Sequence, residues 1–258
     1  MRWNKRFKYP KSQRSLIQGS RHYDIDQQML PSVTTILSAT QSEEKRQSLA
    51  AWRARVGAQG ADRIRDVSAM RGTAMHTYLE AYIQGSGHMD LTAVGMEAHP
   101  MARQIIKQGL GPLEEVWGTE VTVHYPLLYA GATDVVGIYN SRESIIDFKQ
   151  TNKPKKREWI EDYFIQLAAY AMAHNYVYGT KIQSGVILMC SKINFFNALK
   201  LRTRNLSSVN THSLRKLINI IGIRKTTQTV KIQIMKIKPT KLAIFGVLYP
   251  LYTLYSIK

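Results

Sequence analysis

The first part of the chain is written in a helical period and the middle in a period of two. A short β-branched run from Ser32 to Leu37 reads as a strand, after which Leu49, Trp52 and Val56 recur at helical spacing up to Gly57. In "ADRIRDVSAMRGTAMHTYLEAYIQGSG", Ile64, Val67, Met75, Leu79 and Ile83 form the apolar stripe of a second, long helix closed by Gly85 and Gly87. "HPMARQIIKQGLGPLEE" predicts a third helix, ended by Gly109 to Pro112. From there "VWGTEVTVHYP", "AGATDVVGIYN" and "SIIDFKQ" alternate as three consecutive strands with tight turns between them. "REWIEDYFIQLAAYAMAHNYVYG" returns to helix and stops at Gly179, and "SGVILMCS" is a short apolar strand. Helices, three meandering strands, a helix and a further strand predict a mixed α/β sheet domain, and no internal repeat is present.

The composition places bounds on this picture. The 258 residues suffice for one substantial core, and with 44% hydrophobic and 21% charged residues the chain is globular in type. A single cysteine, Cys190, excludes an internal disulfide, and no CxxC or His/Cys cluster points to structural zinc. The formal charge of +18 favours a polyanionic partner, nucleic acid before an acidic membrane. That surplus is uneven. Residues 1–190 carry 23 Lys/Arg and all 18 Asp/Glu, whereas residues 191–258 carry 13 Lys/Arg and no acid. This stretch has three readings: a basic nucleic-acid-binding extension, a membrane-associating end, or an out-of-frame or otherwise aberrant continuation of an A/T-rich coding sequence. The third is the expectation, because soluble domains interleave both signs of charge. The run "LAIFGVLYPLYTLYSI" is short for a span and broken by Pro250, so a membrane is not an expected partner. The start of the chain has no acid before Asp24, as a mitochondrial transit peptide would, but Tyr9–Pro10 and Gly19 interrupt any amphipathic helix. The expected division is a basic lead-in (1–19), an N-terminal strand and helical subdomain (20–112), a sheet core (113–190) and the acid-free tail (191–258).

The candidate chemistry lies in the predicted strands. Asp134 sits inside "ATDVVGIY", and Asp147 and Lys149 inside "SIIDFKQT". Neighbouring antiparallel strands can bring the two aspartates together at a sheet end, where they repel unless a cation lies between them. Hard carboxylate ligands suit Mg²⁺ or Mn²⁺. Lys149, two residues after Asp147, shares its face and could orient a water or stabilise charge on a phosphate. By itself an Asp-x-Lys is as readily a turn-flanking acid and a solvated base. Asp162, Gln166, Tyr170 and His174 recur every four residues as one polar stripe on an apolar helix, which could also simply face solvent.

The ordered set "RGTAMH", "GATD", "DFK" and "QLAAY", with "LPSVTTIL" and "WRARVG" upstream, resembles the PD-(D/E)XK nucleases, in particular the RecB-like exonuclease branch with its mitochondrial and bacteriophage members. The resemblance covers residues 20 to 190. It implies a restriction-endonuclease-like fold, a mixed central sheet flanked by helices, with the helical subdomain supplying His76. It also implies that Asp134, Asp147, His76 and the backbone carbonyl of Phe148 hold Mg²⁺ or Mn²⁺, with Glu120 a softer candidate. Lys149 would be the catalytic lysine, and Gln166 and Tyr170 would flank the active site. Arg71, Thr151, Lys153, Lys155, Lys156 and Arg157 are candidate phosphate contacts, and Tyr78, Tyr82, Trp159 and Tyr170 could stack on bases or serve as core. The implied activity is metal-dependent exonucleolysis of DNA, single-stranded or with free ends, in replication, recombination or repair. The alternative is a DNA-binding protein with an incomplete, inactive nuclease core. The implied setting is intracellular, in a bacterial host if phage-encoded, with the mitochondrion as the alternative.

Overall fold

Three adjacent pairs of residues show how the protein is layered. Val136, Ile145 and Ile187 point into one apolar cluster, while their chain neighbours Val135, Ile146 and Val186 point into another. Strands that alternate between two apolar faces are buried on both, so this sheet runs through the middle of the molecule.

The computed structural model describes residues 1–193 and 195–201. In chain order the elements are β1 (Arg2–Trp3), β2 (Gln13–Ile17), β3 (Ser20–Ile25), β4 (Gln28–Pro31), α1 (Val33–Ala39), α2 (Glu43–Val56), α3 (Ala58–Gln84), α4 (Ala93–Gly109), β5 (Leu113–Tyr125), β6 (Tyr129–Tyr139), β7 (Glu143–Thr151), α5 (Glu161–Tyr178), β8 (Ser184–Ser191) and β9 (Phe196–Leu201). A 3₁₀ turn over Arg157–Ile160 leads into α5.

The main sheet has the order β1-β5-β6-β7-β8-β9. β5, β6 and β7 form the expected antiparallel meander, β7 and β8 pair in parallel, and β9 returns antiparallel at one edge. A parallel neighbour requires a crossover, and α5 supplies it. Phe164, Leu167, Ala168 and Ala169 of α5 cover one face together with Val33 and Ile36 of α1. Met75, Leu79 and Ile83 of α3 and Met101, Ala102 and Ile105 of α4 cover the other. The result is a mixed α/β architecture with a central sheet flanked by helices. β2, β3 and β4 form a separate small antiparallel sheet whose core is Tyr23, Ile25 and Leu30 against Ala130.

The structure departs from the periodicity reading in three places. Ser32–Leu37 is not a strand: Ser32 accepts the Thr35 backbone N–H as an N-cap, and α1 buries Val33 and Ile36 one turn apart. A capped turn with two buried side chains on one face outweighs the β preference of Val and Thr. The stripe of α3 is used only in its second half. Met75, Leu79 and Ile83 are fully packed, whereas Ile64 and Val67 are 40% and 37% exposed. α2 buries no residue at all. The lead-in is tied down, with Arg2–Trp3 pairing parallel to β5 and Phe7 and Tyr9 packed against the core around Trp117. β9 lies within the acid-free stretch 191–258; the remainder of that stretch, including "LAIFGVLYPLYTLYSI", lies outside the described residues. No helix among the described residues is long and apolar enough to cross a membrane.

His174 belongs to this core. It is fully buried, stacks on Trp117 and meets Phe7 edge-on at 4.9 Å between ring centroids. Its ring nitrogens are hydrogen-bonded to the Tyr9 hydroxyl at 3.1 Å and to Thr180 Oγ1 at 2.8 Å. Burial, reinforced by the Arg6 charge, pushes its pKa down to about 4. Between that value and the unfolded value near 6.5 the unfolded chain binds a proton that the native one refuses, so stability present above pH 6.5 is lost as pH falls. Urea unfolding at pH 7 and pH 4 should show the wild type losing roughly 3 kcal/mol more than His174→Gln over that interval. Equal losses in the two proteins would mean that His174 takes up its proton within the fold.

Candidate active site

The site forms where two strands part. The ladder between β6 and β7 runs from Ile138/Glu143 to Val135/Ile146 and stops there. Past that point β6 continues against β5 to Tyr129, and β7 continues against β8 to Thr151. Asp134 and Asp147 are the next residues on either side of the opening. The Asp134 carboxylate fills the gap, accepting the Phe148 backbone N–H in place of a ladder carbonyl. Both aspartates are buried, at 8% and 2% exposure.

A third acid faces Asp134 from the opposite strand. Thr119 pairs with Val135 and Val121 with Thr133, which sets Glu120 directly across from Asp134. Like charges placed opposite each other in a sheet are destabilising. Glu120 also has φ of +50°, a left-handed conformation that costs a non-glycine residue of order 1–3 kcal/mol. From α3, the His76 imidazole reaches into the same space. Its Nδ1 is 3.3 Å from Asp134 Oδ1 and 3.8 Å from Glu120 Oε1. His76, Glu120 and Asp134 each bring one ligand atom to within 4.8 Å of the others. Burial works against a charge on His76, but the adjacent Asp134 and Glu120 carboxylates outweigh it and raise its pKa to about 10. Burial likewise opposes ionisation of Asp134, and the His76 and Lys149 cations overcome it, holding that carboxyl below its usual range. Glu80, one helical turn after His76, is pushed up by burial and by the Glu120 charge.

Asp147 sits on the other side of Asp134, among different partners. Gln166 Nε2 of α5 donates to its Oδ1 at 3.4 Å, and the Lys149 ammonium forms an ion pair with its Oδ2. Burial and the Asp134 charge raise the Asp147 pKa, with Lys149 opposing them. For Lys149 burial favours the neutral amine, but the Asp147 and Asp134 charges prevail, so it is a firmly charged lysine. Gln166 Nε2 also lies 3.1 Å from the Tyr170 hydroxyl. Tyr170 fits because residue 131 is glycine: a Cβ there would lie 2.4 Å from the Tyr170 ring.

The donor set can be tested for a metal on this geometry. An imidazole nitrogen and two facing carboxylates fit a divalent cation. His76, Asp134 and Glu120 form the convergent group. Asp147 adjoins it, engaged by Lys149 and Gln166, and Phe148 contributes its N–H to the Asp134 carboxylate.

The remaining candidates divide by burial. Arg71 is 2% exposed, and its guanidinium is held by Glu97 at 2.8 Å, Gln150 at 3.1 Å and Asn152. It braces α3 against the end of β7, and its burial sets it apart from the expected phosphate contact. Thr151 is also buried and donates to the Lys153 carbonyl at 2.9 Å, closing the turn after β7. Lys153, Lys156 and Arg157 are exposed and Lys155 is half-buried. Of the aromatics, Trp159 and Tyr82 are 60% and 45% exposed, Tyr78 packs on His99, and Tyr170 is buried. The stripe of α5 is not one face. Four residues turn the helix through about 400°, so each step drifts by about 40°. Asp162 ends at the surface paired with Lys45, Gln166 and Tyr170 face the site, and His174 enters the aromatic core. Tyr163 escaped the sequence reading, although its spacing of three to Gln166 and seven to Tyr170 was a signal that it shares their side of the helix.

No family model matches the chain. In sequence it is 30% identical over 178 residues to mitochondrial genome maintenance exonuclease 1 of Mus musculus, covering 65% of this chain and 52% of the mouse protein. The protein of the same name from Xenopus tropicalis is 29% identical over 177 residues, with 63% and 49% covered. The chain thus spans about half the length of the curated relatives it matches. A solved structure of a protein described as an exonuclease, from Eubacterium rectale, aligns with a TM-score of 0.45 and 14% identity, covering 69% of this chain and 80% of the other. The chain resembles the RecB-like exonucleases of the PD-(D/E)XK superfamily, and among them the mitochondrial genome maintenance exonucleases.

Proposed function

We propose that the protein is a metal-dependent DNA exonuclease that acts on single strands or free ends. The observation that carries this reading is the convergence of His76, Glu120 and Asp134 beside a buried Asp147–Lys149 pair. The exonuclease names of the sequence relatives support it. Mg²⁺ or Mn²⁺ would be the cation, and His76, Asp134 and Glu120 would hold it, with Asp147 and the Phe148 carbonyl completing the set. When bound, such an ion supplies Lewis-acid polarisation of the scissile phosphate and lowers the pKa of a water. Lys149 keeps a fixed positive charge where negative charge develops on the phosphate. Gln166 holds Asp147 in orientation, and Tyr170, seated over Gly131, fixes Gln166. Lys153, Lys156 and Arg157 follow the backbone of the substrate from the exposed loop. The setting is intracellular, either the cytoplasm of a phage host or the mitochondrion, in replication, recombination or repair. An inactive, DNA-binding core is the second reading, favoured by Asp147 being engaged by Lys149 and Gln166 apart from the convergent group.

End-labelled single- and double-stranded DNA, incubated with and without Mg²⁺ or Mn²⁺, separates the two readings. The wild type should release label only with metal, and Lys149→Ala and Asp134→Ala should each lower the rate at least about 100-fold while still retarding DNA in a gel. Labels at the 5′ and 3′ ends give the direction. Binding without release in all three proteins would establish the inactive reading.

Metal binding is also measurable without catalysis. Mn²⁺ at about 100 times its Kd should stabilise the wild type by about 2.7 kcal/mol, visible as a rise in Tm. Glu120→Gln should lose most of that rise, and Asp134→Ala all of it. A rise of full size in Asp134→Ala would place the ion elsewhere.

A further inference from the structure

Tyr163 lies between two lysines. The Lys149 ammonium is 5.2 Å from the centre of its ring, and the Lys155 ammonium is 5.4 Å from the same centre and 3.3 Å from the phenol oxygen. Both are within the range at which an aromatic face attracts a cation. The two lysines differ in what balances them. Lys149 is paired with Asp147. Lys155 has no carboxylate in ion-pair range among the described residues, and Asp162, the acid next to Tyr163 in the chain, is taken by Lys45. A half-buried ammonium whose partners are a phenol ring and its hydroxyl retains unused positive charge and donors.

We infer that Tyr163 is a positioning residue for Lys149 and that its hydroxyl, with the Lys155 ammonium, forms a seat for one backbone phosphate beside the reacting one. The inference rests on the nuclease reading of the site and adds a residue to it. The ring presents its face to Lys149 and restricts where that long side chain can place its charge. The hydroxyl and Lys155, 3.3 Å apart, offer two donors to the oxygens of one phosphate, as charge-assisted hydrogen bonds require. A single aromatic side chain therefore couples the grip on the substrate to the placement of the cation at the reaction centre. Its position on α5, one turn before Gln166, keeps both tasks on a rigid element rather than on the loop.

Two measurements test this, and the first needs no cleavage. Binding of 5′-fluorescein oligothymidylate in EDTA is followed against salt for the wild type, Lys155→Gln and Tyr163→Phe. Loss of one phosphate contact on a single strand reduces the slope of log K against log salt by about 0.7. Lys155→Gln should show that reduction with a several-fold weaker affinity, and Tyr163→Phe a smaller loss of affinity. An unchanged slope in Lys155→Gln overturns the phosphate seat, whether or not the wild type cleaves DNA. The second measurement compares Tyr163→Leu with Tyr163→Phe in the metal-dependent cleavage assay. Leu should lower kcat at least 10-fold, and Phe, which restores the ring, should recover most of kcat while KM stays raised. A merely structural role would lower kcat and Tm together in Leu and leave KM unmoved in Phe, and that pattern overturns the positioning role. A wild type that binds with a Lys155-dependent slope but never cleaves keeps the seat and removes the nuclease reading.

Discussion

One hydrogen bond organises the candidate site: the Phe148 N–H donated to the buried carboxylate of Asp134. Two strands cannot separate in a protein interior without leaving unpaired peptide groups, and each such group costs free energy when it is shut away from water. Asp134 meets that demand with a side chain. β6 and β7 can then part at Val135/Ile146 while each keeps its other neighbour, and the space between them opens beside three acids. Gly131 extends the same opening by admitting the Tyr170 ring where any side chain would collide with it. The site is thus a defect in a sheet, stabilised by the residue that the chemistry would use.

The architecture was legible wherever one period dominated. The meander of β5 to β7 and the α5 crossover could be read from short β-branched runs bounded by turns and from helical spacing, because burial on both faces keeps such runs apolar. The errors cluster where a local interaction outvoted the pattern. Ser32 turned a β-branched run into a helix by capping it. Ile64 and Val67 have the right spacing for a core stripe but stay 40% and 37% exposed, and spacing cannot show where a neighbour ends. The same limit applies to the site. Asp134, Asp147 and Lys149 stood out as charges in apolar strands. Arg71 stood out too, and only its three partners reveal that it is a brace. Glu120 was a soft candidate because its strand alternates unremarkably; its left-handed backbone and its register opposite Asp134 are facts of the fold.

The helix α5 illustrates how a fourfold spacing distributes roles. Because 3.6 residues make a turn, residues four apart wind slowly around the axis. Asp162 emerges at the surface, Gln166 and Tyr170 reach the parting strands, and His174 closes the aromatic cluster that anchors Phe7 and Tyr9 of the N-terminal segment. One helix therefore fixes the segment before β2, the orientation of Asp147 and the approach from the basic loop. Its rigidity is shared by all three.

Charge balance gives the site its direction. Most of the chain's positive surplus lies in residues 191–258, and the basic loop from Lys153 to Arg157 adds to the pull on a polyanion. The opening itself is acidic: Asp134, Asp147, Glu120 and Glu80 gather around two cations, His76 and Lys149. A phosphate drawn in by the long-range field would meet repulsion at the last few ångströms. A divalent ion between the carboxylates would reverse that sign locally, at the point where backbone strain at Glu120 and the opposition of Glu120 to Asp134 are otherwise unrewarded. On the proposed reading the basic loop and the acidic centre are complementary: the first would recruit an anion, and the second would accept it once a metal is in place.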